Sequence, residues 1–390
     1  MKAIQFMIIL TEKTNYTNMI KREAKMMFLI GDLHFGVHVN SLEWFEYQRQ
    51  YVYDVLIPAF IFYKKQGIPI TVWQLGDIFE HKMSLNVNIL NKVMQMVKDI
   101  LEHVYEFNVI LGNHDTYYID KNDVNSPNIL SESFENFNIY SEPTELLVND
   151  KFSFLLLPWM KSNERLHEEI AATDANYLLT HIDINEFKYP SGVSIRDHVD
   201  PKSLEKFTAV YSGHIHLNQR KGNTQYVGTP YSLDYSDLGD TKGYYMLEFE
   251  EDNFKQHFIP NEISPQYRLV EFWDLMEMNV TEAANKFKNS FLYIRTPVKA
   301  MNDLNVTMAS EFLKKHIPDL RKYKFDPYSD MDGLDDKEDM EISDTIDIFE
   351  IAEKMMEKDE INKDRRGDVL NILNELHVTA KSKMKYGEKS

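Results

Sequence analysis

The chain of 390 residues has no cysteine, so disulfides, thiolate zinc centres and cysteine nucleophiles are excluded. Hydrophobic residues make up 43% and aromatic residues 13%, which marks a globular chain, and the length implies more than one domain at about 100 to 200 residues each. The balance of 43 basic against 62 acidic residues, a formal charge of −19, argues against binding nucleic acid by bulk charge, because phosphate contacts need Lys and Arg.

Residues 1–25 read as a leader. They contain a short apolar run, no small-residue cleavage site and too little length to cross a bilayer, which takes about 20 residues. Met26-Met27 stands directly before the first core strand and is the expected native start. With no transmembrane segment in view, the expected location is the cytoplasm, the host's if the chain is phage-encoded. Met27-Phe28-Leu29-Ile30 is a buried strand ending in Gly31-Asp32-Leu33-His34. A helix is expected from Ser41 to Gln66, with Gly67 as its stop and a kink or break at Pro58. Ile70–Leu75 is a second strand closing on Gly76-Asp77. Helical spacing then runs from Leu85 to Phe107, and Asn108-Val109-Ile110 leads into Leu111-Gly112-Asn113-His114-Asp115. Strand, helix, strand, helix, strand makes two crossover units, so parallel pairing is expected.

Residues 117–150 read as loop. Phe152–Leu157 is a strand, Glu164–Ala172 a short helix, and Tyr177–Thr180 a strand closing on His181. Phe207–Tyr211 leads into Ser212-Gly213-His214-Ile215-His216. Gln225–Tyr231 and Gly243–Phe249 alternate as antiparallel strands with a polar outer face would. Beyond about residue 262, Phe291–Thr296 reads as a strand and Met308–His316 as a helix of a small α/β module. An acidic stretch over 326–344 reads as a linker. Two amphipathic helices close the chain, one with Ile348, Phe349, Ala352, Met355 and Met356 on a face, the other with Val369, Leu370, Leu373 and Leu376.

The chemistry is concentrated at strand ends. Five of them end in nitrogen or oxygen donors: Asp32 with His34, Asp77, Asn113 with His114, His181, and His214 with His216. Any one of these is more often a surface turn or a satisfied histidine, whereas a parallel sheet brings such ends to one edge, where open α/β folds keep their ligands. The donors are too many for one ion, and two ions about 4 Å apart need a bridging carboxylate. Asp77, alone on its strand end, is the natural bridge. His38, His103 and His198 have no strand-end context and are assigned nothing.

These motifs, Asp32-x-His34, Gly76-Asp77, Gly112-Asn113-His114-Asp115, Thr180-His181 and Gly213-His214-x-His216, resemble the calcineurin-type metallophosphoesterase superfamily. Within it the chain is similar to the SbcD-like nuclease subunits of the double-strand-break repair complex and their counterparts in T-even-type phages. The resemblance covers roughly residues 27–260. It implies an α/β fold: a metallophosphoesterase β-sandwich flanked by helices, then a small α/β capping domain and a C-terminal helix-loop-helix. The corresponding division is 26–261 nuclease domain, 262–325 cap, 326–344 linker and 345–390 helical tail.

It also implies one divalent ion held by Asp32, His34, Asp77 and His216 and a second by Asp77, Asn113, His181 and His214, the metal being manganese with magnesium as the other candidate. His114 would be the catalytic group that stabilises or protonates the leaving oxygen. Asp115 is placed beside it as a catalytic partner that either orients the imidazole or forms a salt bridge elsewhere. Some of these nucleases carry a second functional histidine three residues after the bridging aspartate; this chain has Glu80 there and His81 one step on. Gly228-Thr229-Pro230 resembles a loop that shapes the active face.

The implied activity is duplex-end exonuclease and single-strand endonuclease action on DNA in recombination, repair or replication. The implied partner is an SbcC-like coiled-coil ATPase bound by the tail, and the implied assembly is a homodimer. Much of the negative charge lies after Asp326, and bound divalent ions offset charge at the site, so −19 does not exclude DNA. The competing readings are a phosphatase or nucleotidase acting on a small phosphoester, and a non-catalytic scaffold.

Overall fold

A computed structural model describes residues 19–118 and 120–328. Residues 1–18 of the expected leader, the linker beyond Tyr328 and the two closing helices lie outside them. Two sheets stack face to face. The first has the order β13-β12-β2-β3-β4-β5, from Phe254–Pro260 (β13), Gly243–Phe249 (β12), Met26–Ile30 (β2), Ile70–Gln74 (β3), Glu106–Ile110 (β4) and Phe137–Tyr140 (β5). The second has the order β1-β6-β7-β8-β9-β11-β10, from Met19–Arg22 (β1), Thr144–Val148 (β6), Phe152–Leu157 (β7), Tyr177–Thr180 (β8), Ala209–Ser212 (β9), Thr224–Tyr226 (β11) and Gln219–Lys221 (β10).

The unbroken apolar runs at β2, β3 and β7 are explained by burial on both faces. In β2, Met27 and Leu29 point between the sheets with Trp73, Leu75, Phe154 and Leu156, while Phe28 and Ile30 point to the helices with Val72 and Val109. In β7, Leu155 and Leu157 face a third cluster on the outer side of the second sheet with Leu166, Ile170, Leu178 and Val210. A strand with two buried faces loses the polar/apolar alternation that would mark its orientation.

As expected, β2, β3 and β4 pair in parallel, and β5 extends the run in the same sense. The helix expected over 41–66 is Leu42–Tyr51 (α1), then one stretch of wider π turn at Val52–Leu56, then Ile57–Lys65 (α2). The break predicted at Pro58 is thus absorbed just before it, which suits a residue that cannot donate to the preceding turn. The next helix (α3, Val87–Leu101) starts at Asn86, whose side chain accepts from the amides of Asn88 and Ile89, and it stops short of the expected Phe107 because β4 begins at Glu106.

Other expectations are corrected. The loop expected over 117–150 contains β5 and β6, and the short helix Asn163–Ala172 (α4) follows β7. Residues 19–22, assigned to the leader, form β1 and pair in parallel with β6, tied down by Arg22 Nε on Glu106 at 2.8 Å. Gln225–Tyr231 and Gly243–Phe249 find the expected antiparallel partners, β11 with β10 and β12 with β2 and β13, but β11 is not antiparallel on both sides, since it runs parallel to β9. Nor does β12 have a polar outer face, since Tyr244 and Met246 pack toward the helices and Tyr245, Leu247 and Phe249 between the sheets.

The third sheet is parallel, β14-β15-β16 from Gln266–Glu271, Ser290–Pro297 and Lys322–Tyr328, with helices Phe272–Glu277 (α5), Val280–Phe287 (α6) and Asp303–His316 (α7) around its own core of Phe272, Leu275, Phe287, Ile294 and Leu313. The start of the acidic stretch, Asp326 to Tyr328, is thus strand. This module sits on α1: the Trp44 ring stacks on Phe291 at 4.9 Å and on Tyr267 at 6.3 Å, and Lys322 Nζ reaches Glu43 at 2.7 Å.

Candidate metal centre

The C-terminal ends of β2, β3 and β4 in one sheet and of β8 and β9 in the other open onto the same edge of the sandwich. The single parallel edge expected from sequence is therefore two edges brought together. They are stitched across the gap: His181 Nδ1 lies 2.6 Å from the Leu75 carbonyl, and the His214 amide donates to Asp32 Oδ1 at 3.1 Å. Close approach explains two of the motif glycines. A Cβ on Gly112 would lie 2.1 Å from Asp77 Oδ1, and one on Gly213 would lie 2.1 Å from the Leu75 carbonyl oxygen. His34, Asp77 and His214 have φ of 47°, 59° and 80°. Left-handed backbone at a non-glycine residue costs on the order of 1–3 kcal/mol, and here it turns three donor side chains inward.

All seven expected ligands meet. His34 Nε2 is 3.0 Å from His216 Nε2 and 3.8 Å from both Asp32 Oδ2 and Asp77 Oδ2. His181 Nε2 is 3.3 Å from Asp77 Oδ2, and Asn113 Oδ1 lies 3.0 Å from His181 Nε2 and 2.9 Å from His214 Nδ1. Asp77 thus stands between two donor groups, as a bridge would.

The donor set fits divalent ions. His181 Nδ1 faces a carbonyl, so it carries the ring proton, and a neutral ring turns the lone pair of Nε2 toward two further oxygen acceptors. Such a crowd of lone pairs is resolved by a cation between them, and the fixed outer nitrogen is the arrangement that orients histidine ligands. The carboxylates also favour positive charge among the rings. Burial alone would raise Asp77 and lower His181; instead the surrounding imidazoles hold the Asp77 carboxyl well below its usual range, and Asp77 and Asp32 push His181 up to about 9. His216, buried beside the His34 imidazole, is lowered to about 4.

His114 is in the site but is held differently. Its amide donates to Asp77 Oδ1 at 2.8 Å, its Nδ1 lies 2.7 Å from the Glu80 carbonyl, and its ring packs edge-on against His34 at 4.9 Å. The carbonyl fixes the proton on Nδ1 and leaves Nε2 as the working nitrogen. Asp115 does not orient this ring. Its two oxygens accept from the amides of Asp77 (2.8 Å), Ile78 (3.0 Å) and Gly112 (2.9 Å), so it ties the Asp77 loop to the Asn113 loop. Burial and the nearby Asp77 raise its carboxyl to about 7.

Several functional contacts were missed in the sequence. Asp183 Oδ2 lies 3.0 Å from His214 Nε2, and the other carboxylate oxygen, Oδ1, accepts from the Tyr189 hydroxyl at 2.8 Å. The spacing His181-x-Asp183 repeats that of Asp32-x-His34 and could have found it. His198, assigned nothing, approaches Asp183 Oδ2 at 3.9 Å. Buried Lys242 donates to the His216 carbonyl at 2.8 Å and pairs with Asp237 at 2.6 Å and Asp240 at 2.9 Å; no spacing announces it. Buried Gln48 on α1 donates to the Leu33 carbonyl at 2.8 Å and to that of His34 at 3.1 Å. Thr229, from the Gly228-Thr229-Pro230 loop, donates its amide to the His216 carbonyl at 3.0 Å. His81 lines a shallow groove with Phe35, Asn40 and Ser84 and joins none of the donor clusters among the described residues.

A sandwich carrying this set of Asp, Asn and His donors at the joined ends of two sheets defines a metal-dependent phosphoesterase. Comparison with known proteins agrees: residues 27–218 match the family model described as Calcineurin-like phosphoesterase, and this part of the chain is a domain of that family. Over 355 residues, 90% of this chain and 98% of the relative, the chain is 26% identical to Exonuclease subunit 1 of Enterobacteria phage T4.

Proposed function

We propose that the protein is a two-metal DNA nuclease that cuts duplex ends and single strands. The observation that carries this is the meeting of Asp32, His34, Asp77, Asn113, His181, His214 and His216 around one carboxylate, with His114 alongside. Similarity to an exonuclease subunit along nearly the whole of both chains favours a polynucleotide over a small phosphoester.

Asp32, His34, Asp77 and His216 would hold one divalent ion, and Asp77, Asn113, His181 and His214 the other. Manganese is the metal we propose. When bound, such ions supply Lewis acidity: they neutralise phosphoryl charge and lower the pKa of the attacking water. Asp77, accepting the His114 amide, fixes the separation between the metal donors and the catalytic imidazole. His114, with Nδ1 anchored on the Glu80 carbonyl, presents Nε2 to hold or move a proton at the leaving oxygen. Asp115 keeps Asn113 and Asp77 in register.

The name of the T4 relative describes a subunit, and we extend that to this chain as a partner: an SbcC-like ATPase bound through the region after residue 345, with two copies of this chain per assembly, in the cytoplasm. Among the described residues no helix is long and apolar enough to cross a membrane. The test is purified protein with manganese, offered linear duplex DNA, single-stranded circles and a nucleoside monophosphate. Nucleolysis abolished by EDTA is the expected result. Phosphate release from the monomer alone would overturn the nuclease reading, and silence on every substrate with metal bound would favour a scaffold.

A further inference from the structure

Glu80 faces the rings of two functional histidines with two different groups. Its carboxylate Oε2 lies 2.8 Å from His34 Nδ1, and its main-chain carbonyl lies 2.7 Å from His114 Nδ1. Its amide donates to the Phe35 carbonyl at 3.0 Å, on the last rung of a short ladder in which the His34 amide meets the Asp77 carbonyl at 3.0 Å and the Phe35 amide the Ile78 carbonyl at 2.8 Å. The backbone of Glu80 is therefore fixed relative to His34, Asp77 and His114 together. His34 is nearly fully buried, while the Glu80 side chain is 26% exposed, so the carboxylate closes the outer side of the His34 ring where no main-chain carbonyl is in place.

The comparison with the other ligands sharpens this. His181 is oriented by a carbonyl and His214 by the Asp183 carboxylate. His34 receives the equivalent support from a residue placed three positions after the bridging aspartate.

We propose that Glu80 is a positioning residue with separable duties: its carboxylate sets the ring orientation of the metal ligand His34, and its carbonyl sets that of His114. This rests on the two-metal reading above. Side-chain substitution should then touch the His34 ion and leave the His114 anchor in place. An outer partner of a histidine ligand is typically worth about 10- to 100-fold in metal affinity. A neutral acceptor in the same place should recover most of it, to within about fivefold, since it keeps the hydrogen bond and loses only the charge.

The full chain, stripped with EDTA and titrated with manganese by calorimetry, tests this with E80A and E80Q. The expected result is two ions in the unaltered chain, one of them bound about 10- to 100-fold more weakly in E80A, and near-recovery in E80Q. In magnesium-loaded protein with 15N-labelled histidine, His34 should lose its hydrogen-bonded Nδ1 proton in E80A while His114 keeps its own. Unchanged affinity for both ions in E80A would overturn the proposal, as would E80Q binding as weakly as E80A, or loss of the His114 signal. If E80A does not fold in EDTA, judged by circular dichroism, E80M carries the same test with a side chain of similar length. If the unaltered chain binds no ion, it is the phosphoesterase reading that fails, a result distinct from any difference among the variants.

Discussion

The two halves of the metal centre are built to different standards. On the side of His181 and His214, each ring has its outer nitrogen held, by the Leu75 carbonyl at 2.6 Å and by Asp183 at 3.0 Å, and Asp183 is in turn held by Tyr189. On the side of His34 and His216, the hold on His34 is a carboxylate reaching in from a partly exposed loop residue, and His216 is held through its main chain by Lys242 and Thr229. In the first half both rings are held at the outer nitrogen, whereas in the second one ring is held by a side chain and the other residue through its main chain. Preorganised ligands lose less freedom on binding, so the His181 side should hold its ion more tightly and the His34 side should exchange more readily.

The sharpest way to break this comparison is to remove what the halves share. Asp77→Ala should abolish binding of both ions and with it all activity, since Asp77 faces both donor groups and also accepts the His114 amide; calorimetry showing one ion still bound with ordinary affinity would mean the halves are independent. Next in size is His114→Ala, which should lower turnover by about 10²- to 10⁴-fold, the range for a lost acid–base group, with two ions still bound. Loss of metal in that variant would make His114 a ligand instead.

A smaller effect is expected from Asp183→Ala. It should weaken one ion by about 10- to 100-fold, and a weakening of the more loosely bound ion would reverse the assignment of the tight half. The smallest effect is that of refilling after EDTA. A manganese titration of the stripped chain should show two separable steps, and in Asp183→Ala the first of these should move toward the second. A single step in the unaltered chain would show that the halves are equivalent.

How much of this was legible in sequence can be judged residue by residue. The candidate ligands were legible because each lies at the end of an apolar run, four of the five runs closing on a glycine and that before His181 on Thr180, and such runs stop where a strand leaves the core. Their grouping into one site was legible only through the number of such ends. Asp115 was misjudged because adjacency to His114 suggested a shared task, whereas successive residues in a turn point to different sides; it faces the backbone of Asp77, Ile78 and Gly112. Lys242 was missed because its task lies in a contact with the His216 carbonyl, across a gap in sequence that no local pattern encodes, whereas Asp183, which faces His214, is marked by its spacing from His181. The polar outer face expected of β12 was misread for a related reason: the layer that covers Tyr244 and Met246 comes from elsewhere in the chain.

The sequence by itself determined the donor types, the absence of thiol chemistry, the alternation of strands and helices from β2 to β4, and the places where strands end in metal-competent side chains. These are local properties, set by side-chain chemistry and by the period of apolar residues. Only the tertiary structure decided that the ends belong to two sheets joined at one edge, that β1 from the expected leader completes the second sheet, and that the module of the third sheet is seated on Trp44. It alone decided that Glu80, Asp183 and Lys242 stand behind the ligands. Those are decisions of packing, because which nitrogen of a histidine is free depends on what the other nitrogen touches, and that neighbour is supplied by whichever strand or loop the folded chain brings beside it.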